Sequence, residues 1–153
     1  MQRVSYITVC LLLFCTAIQA KATQFIEHSK KVEKECSQTL KSTPVTQWLE
    51  PGANKGHSLM TEAALCYQSK IRLVARDTKY QHAGLVNDFA EALVKLSKAR
   101  DEGKINAWAA LSLYRNLSYE FRTFISIEDA EDQQRESLRV VQGINGVLSR
   151  LQA

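Results

Sequence analysis

The spacing of apolar side chains constrains this chain more than any other feature. Phe25, Ser29, Val32, Cys36 and Leu40 follow one another at steps of four, three, four and four, which places them on one face of an α-helix. The same rhythm returns in Leu59, Ala63, Cys66, Tyr67, Ile71 and Val74, and again in Leu85, Phe89, Leu93 and Leu96. Two further stripes are Trp108, Leu111, Leu117, Phe121, Phe124 and Ile125, then Leu138, Val141, Ile144, Leu148 and Leu151. No segment shows the two-residue alternation of a strand or a hairpin pattern. A helix with one apolar stripe must bury it against another helix, so the expected fold is all-α, a bundle of four or five helices.

Local chemistry sets the expected ends of these helices. The first runs over about 22–41 and stops at Ser42-Thr43-Pro44, because a residue preceding proline is pushed out of the helical region. Ser58 caps a second that ends near Thr78, and Gly103 closes a third. Asn106 caps a fourth, while a fifth starts near Glu128, with Gly143 and Gly146 leaving the extent of its last turns open. Between the first two helices lies a loop at about 43–57 that holds both prolines. At about 14 residues it is long for a compact domain, as mobile or functional segments are. Within it Trp48 and Leu49 either fold back onto the bundle or stand out as an anchor for a partner.

Ahead of the first helix, Arg3 precedes an apolar run from Val4 to Ile18 that contains no Asp, Glu or Lys. Its core of about 12–15 residues is shorter than the roughly 20 needed to span a bilayer, and small residues follow it. The expected organisation is a cleaved signal peptide over 1–20, with a cut after 22 equally compatible with Ala20-Lys21-Ala22, and a single helical domain over 21–153. Lipid attachment would need a small residue before the modified cysteine, whereas Phe14 precedes Cys15 and Val9 precedes Cys10. The expected location is therefore periplasmic or secreted. Of four cysteines, Cys36 and Cys66 remain in the domain. In an oxidising compartment they are expected to form one disulfide, worth about 3–4 kcal/mol for a loop of this size. Two buried, unpaired thiols are the alternative.

Charge and motif content exclude several functions. The chain has 20 Lys and Arg against 16 Asp and Glu, and the signal segment removes only Arg3 from that balance. Such a mild, scattered excess is not the basic stripe of a nucleic-acid binder. His28, His57 and His82 are far apart, in no metal-ligand spacing, and are expected at the surface or in turns. No Gly-x-Ser-x-Gly elbow or phosphate-binding loop is present. Glu27, Glu33 and Glu35 interleave with Lys30, Lys31 and Lys34, the pattern of a solvated helix face with i,i+3 and i,i+4 pairs. Neither a catalytic residue, a metal site nor a cofactor is expected.

The segment "LYRNLSYEFRTF", Leu113 to Phe124, alternates aromatic and Arg side chains. Part of it, Leu117, Phe121 and Phe124, suits a core. Tyr114, Arg115, Tyr119 and Arg122 are the candidate partner contacts, since Tyr and Arg are enriched where protein interfaces are strongest. The expected function is binding of a protein partner in the bacterial envelope, in assembly, as a secretion accessory or as an inhibitor. Two alternatives are a membrane-active or lipid-binding helical protein, suggested by the aromatic amphipathic helix after Asn106, and a small peptidoglycan-acting enzyme. Over Leu73–Leu111 the "ARDTKY" turn, Leu85-Val86 and "GKI" at Gly103 to Ile105 resemble small exported helical envelope proteins of proteobacteria. That resemblance implies an envelope setting and carries no catalytic or binding residue. Many of those proteins are lipoproteins, from which Phe14-Cys15 departs.

Overall fold

Capping side chains place the helix boundaries. The computed structural model describes residues 21–50 and 56–152, so the expected signal segment, 1–20, lies outside the described residues. Helix α1 covers 21–36, followed by α2 Gln38–Ser42, α3 Leu59–Asp77, α4 Ala83–Asp101, α5 Ala107–Ser126 and α6 Ala130–Gln152. Among the described residues there is no strand. Helices α1 and α2 form one bent rod: the Ser37 N–H donates to the Glu33 carbonyl at 2.9 Å and the Lys41 N–H to the Ser37 carbonyl at 2.9 Å. Counted that way, the described residues form a five-helix bundle, within the four or five helices that the periodicity predicts.

Ser58 Oγ accepts from the Thr61 N–H, Asn106 Oδ1 from the Ala109 N–H, and Asp129 Oδ1 from the N–H groups of Glu131 and Asp132. These acceptors satisfy donors that have no partner within their own helix. At the other ends, the Tyr80 N–H reaches back to the Ala75 carbonyl and the Lys104 N–H to the Ala99 carbonyl, at 3.0 and 2.9 Å. Both closures need one left-handed residue. Gly103 supplies it after α4 at φ +74°, whereas Lys79 supplies it after α3 at φ +51°. Asp101, in the last turn of α4, accepts from Thr61 Oγ1 at 2.7 Å and from the Ser58 N–H at 3.1 Å. Its carboxylate thus sits where the dipole of α3 favours negative charge, tying the start of α3 to the end of α4.

Phe25, Met60, Ile71, Leu96, Leu117, Phe121, Phe124 and Val140 are fully buried at the centre. Phe25 stacks on Tyr80, fastening α1 to the α3–α4 turn, and Phe89 stacks on Phe121 between α4 and α5, each pair with ring centres 3.9 Å apart. The Cys36–Cys66 disulfide, with its Cα atoms 5.6 Å apart, joins the end of α1 to α3. The expected loop at 43–57 is more organised than its composition suggests. A 3₁₀ turn covers Val45–Gln47, and the carbonyls of Trp48 and Glu50 accept from the N–H groups of Met60 and Leu59. Its residues 51–55 lie outside the described residues.

Three expectations about faces are corrected. Trp108, expected on the apolar side of its helix, is 80% exposed: seven positions before Arg115, it shares the angular position of that exposed residue rather than of Leu111 and Leu117. In α6, Leu138 and Val141 are exposed at 57% and 41%, and the helix buries Gln133, Ser137, Val140, Ile144 and Val147 instead. Burial of those two polar residues is sustained by hydrogen bonds, Gln133 to the Ile127 carbonyl and Ser137 to the Gln134 carbonyl. The acids of the first helix also differ from the pairing expected within it. Glu33 pairs with Arg122 of α5 and Glu35 with Lys70 of α3, so these charges bridge helices.

Candidate functional site

The aromatic and Arg segment supplies two surfaces of α5. Its buried face, Leu117, Phe121, Phe124 and Ile125, enters the core. On the opposite side Trp108, Ser112, Arg115, Tyr119 and Arg122 recur at steps of four and three, and all five are exposed. Tyr119 is 71% exposed, so two large aromatic side chains and two guanidiniums form one solvent-facing stripe.

Beside this stripe runs a groove of about 490 Å³. One wall is α1–α2, through Ser29, Glu33, Ser37, Leu40 and Lys41, and the other is α5, through Tyr114, Arg115, Ser118, Tyr119 and Arg122. Tyr67 of α3 with Phe89 and Leu93 of α4 lines it from within, and Trp48 stands at one end. The indole N–H of Trp48 donates to the carbonyls of Leu40 and Thr43, at 2.8 and 3.0 Å. That bond pair satisfies the end of α2 and fixes the ring, over which the Arg115 guanidinium lies 5.7 Å from the centroid. In the middle of the groove Arg122 and Glu33 form an ion pair at 2.8 Å that links the two walls. Because Leu40 sits near Arg115 and Glu33 near Arg122, the walls run antiparallel.

Polar groups within the groove differ in how they are satisfied. Burial pushes the Tyr67 phenol above its ordinary range, against the effect of its hydrogen bond with Ser29. Burial likewise pushes Tyr114 up to about 12, opposed by Arg122 and reinforced by Glu33. Both phenols therefore keep their protons at neutral pH. Ser37, at the break between α1 and α2, has a sheltered hydroxyl with no hydrogen-bond partner.

The structure thus brings Trp48, Tyr114, Arg115, Tyr119 and Arg122 together on one groove. Leu49 is not among its lining residues and packs, half-buried, against the core. Trp48 has folded back onto the bundle, as one of the two readings of the loop had it. Sequence reasoning missed Trp108, Glu33, Ser37 and Lys41. Trp108 was discoverable from its seven-residue offset to Arg115; the others belong to a wall that only the packing of α1–α2 beside α5 creates. The histidines lie at the surface or in the connections between helices, as expected. His28 is exposed and His57 lies 3.9 Å from the Asp101 carboxylate, while half-buried His82 packs edge-on against Tyr80 and Phe124 with its Nε2 3.1 Å from Gln133.

Among the described residues no group of three or more His, Cys, Asp or Glu is placed to hold a metal ion. No described helix is long and apolar enough to cross a membrane. Comparison with known protein families, with curated proteins and with solved structures finds no match for this chain.

Proposed function

We propose that this is an exported bacterial envelope protein that acts by binding a protein partner through the exposed face of α5, in assembly, secretion or inhibition, rather than by catalysis. One observation carries the reading: Trp108 and Tyr119, 80% and 71% exposed, share a helix face with Arg115 and Arg122. Isolated exposed apolar residues are ordinary, but Trp, Tyr and Arg on one face have the composition of an interface centre. Arg122 is partly held by Glu33 and Arg115 by the Trp48 ring. Less side-chain freedom is then lost on docking. Export is supported by the short apolar segment after Arg3 and fits the Cys36–Cys66 bond.

The test is a photoreactive residue in place of Tyr119, irradiated in the producing cell before osmotic-shock fractionation. The expected result is one adduct of fixed size in the periplasmic or secreted fraction, lost on Trp108→Ala or Arg122→Glu. Recovery of monomer alone, or an adduct that survives both substitutions, would overturn the reading. Intact mass of the exported chain checks the address, with a cut after 20 or 22 and the two-hydrogen deficit of the disulfide.

A further inference from the structure

Beyond partner binding, we propose that the groove between α1–α2 and α5 is a binding site for a free single-chain amphiphile with an anionic head, of the long-chain carboxylate type. A volume of about 490 Å³ falls in the range of small-molecule sites. Along α5 the wall from Tyr114 to Ile125 is about 16 Å long at the rise of an α-helix. A slot of that length suits a linear ligand.

Polarity decides what kind of linear ligand fits. Of the interior side chains, Leu93, Phe89, Phe121 and Ile125 are apolar and the Tyr67 phenol is already bonded to Ser29, and the flanking walls are helices whose backbone groups already bond to one another. An extended peptide laid there would leave its own N–H and C=O groups without partners, at a cost for each. An acyl chain has no such groups.

Charge places the head. At the Trp48 end Lys41 and Arg115 line the groove, and neither forms an ion pair with a carboxylate among the described residues. Ser37 lies at this end too, with a hydroxyl that has no acceptor. Two cations and one free donor beside an apolar slot are complementary to a carboxylate on a chain. The one acid of the groove, Glu33, is already held by Arg122.

The experiment is equilibrium dialysis of the disulfide-intact protein with dodecanoate below its micelle concentration. Saturable one-to-one binding is expected. Shortening the chain by two carbons should weaken it roughly tenfold, as burial of two methylenes implies. The combined substitution Lys41→Glu and Arg115→Glu, both on exposed residues, should weaken it at least tenfold. Ser118→Trp, which fills the slot from the α5 wall, should abolish it, with the helical circular dichroism of each variant checked against the parent. The proposal is overturned if dodecanoate does not saturate, if dodecyltrimethylammonium binds equally well, or if folded charge-reversed and Ser118→Trp proteins bind as the parent does.

Discussion

Replacing Cys36 and Cys66 together by Ala should cost this bundle about 3.6 kcal/mol. The bond closes a loop with a sequence separation of 30, and the loop-closure entropy removed from the unfolded chain by a link of that span corresponds to about 3.6 kcal/mol at 25 °C. Against a typical domain stability of about 5–15 kcal/mol, that is between a quarter and most of the total. For roughly 130 residues the unfolding entropy is near 0.27 kcal/mol per degree, so the melting temperature should fall by about 13 °C. The assay is urea unfolding of parent and double variant, followed by circular dichroism for all helices. Tryptophan emission in a Trp108→Phe background isolates Trp48, which the bonds to Leu40, Thr43 and Met60 fasten inside the closed loop. Both probes should move together, by the same free energy. A loss below about 1 kcal/mol would refute loop closure as the source of the stabilisation, and a Trp48 transition that separates from the helical one would refute cooperative coupling of α1–α2 to the bundle.

Three further outcomes follow from single residues. Lys79→Gly should stabilise by about 0.5–1 kcal/mol in thermal unfolding, because Lys79 holds a left-handed φ of +51° that a side chain disfavours; Gly103→Ala, at φ +74°, should destabilise by a similar amount. Asp101→Ala should cost about 2–3 kcal/mol in urea unfolding, since it strips acceptors from the buried Thr61 hydroxyl and the Ser58 N–H, while Asp101→Asn should recover part of the loss. Glu120 has a carboxylate oxygen sheltered between α5 and α6 with no hydrogen-bond partner, and burial, then Glu136, raises its pKa. A raised acid favours folding while protonated, so its contribution is complete below the ordinary carboxylate range and lost as pH rises through the folded-state value. Glu120→Gln should therefore be more stable than the parent at pH 7, with the difference in urea midpoint shrinking toward pH 4.

Local chemistry was legible in the sequence wherever a single residue type decides the outcome. Ser58 and Asn106 cap as their side chains predict, Pro44 ends the first rod, Gly103 turns left-handed, and Cys36 and Cys66 meet. The choice between two equally periodic faces was not legible. In α6 the expected stripe holds at its end, where Ile144 is buried and Leu148 and Leu151 pack against the core, and fails at its start, where Leu138 and Val141 give way to Ser137 and Val140 and Gln133 finds partners inside. Gln133 bonds to the Ile127 carbonyl, to the Tyr80 hydroxyl and to His82, a network assembled from three segments that no local window contains. The groove was half legible. Tyr114, Arg115, Tyr119 and Arg122 came from the composition of α5, but Glu33 reads as a solvated charge and nothing local singles out Lys41, because the facing wall exists only in the packing of α1–α2 beside α5.

The same geometry decides along which edge α1–α2 is fastened. Where two helices pack in full contact, apolar burial of about 25 cal/mol per Å² holds them. Along the groove that contact is absent by construction, since the facing side chains of α1–α2 and α5 are separated by an open slot of about 490 Å³. Between these walls the Glu33–Arg122 pair spans the slot, and as a half-exposed ion pair it contributes at most about 1 kcal/mol. The hold on α1–α2 therefore comes from its other neighbours. Phe25 stacks on Tyr80 at one end, Ser29 bonds to Tyr67, Glu35 pairs with Lys70, and the disulfide closes the far end. Each of these attaches the rod to α3 or to the turn after it and leaves the side toward α5 open. The rod's own stripe, Phe25, Ser29, Val32, Cys36 and Leu40, is already buried in this arrangement, so a wall fastened along one edge gains nothing by closing on α5 and the slot stays open.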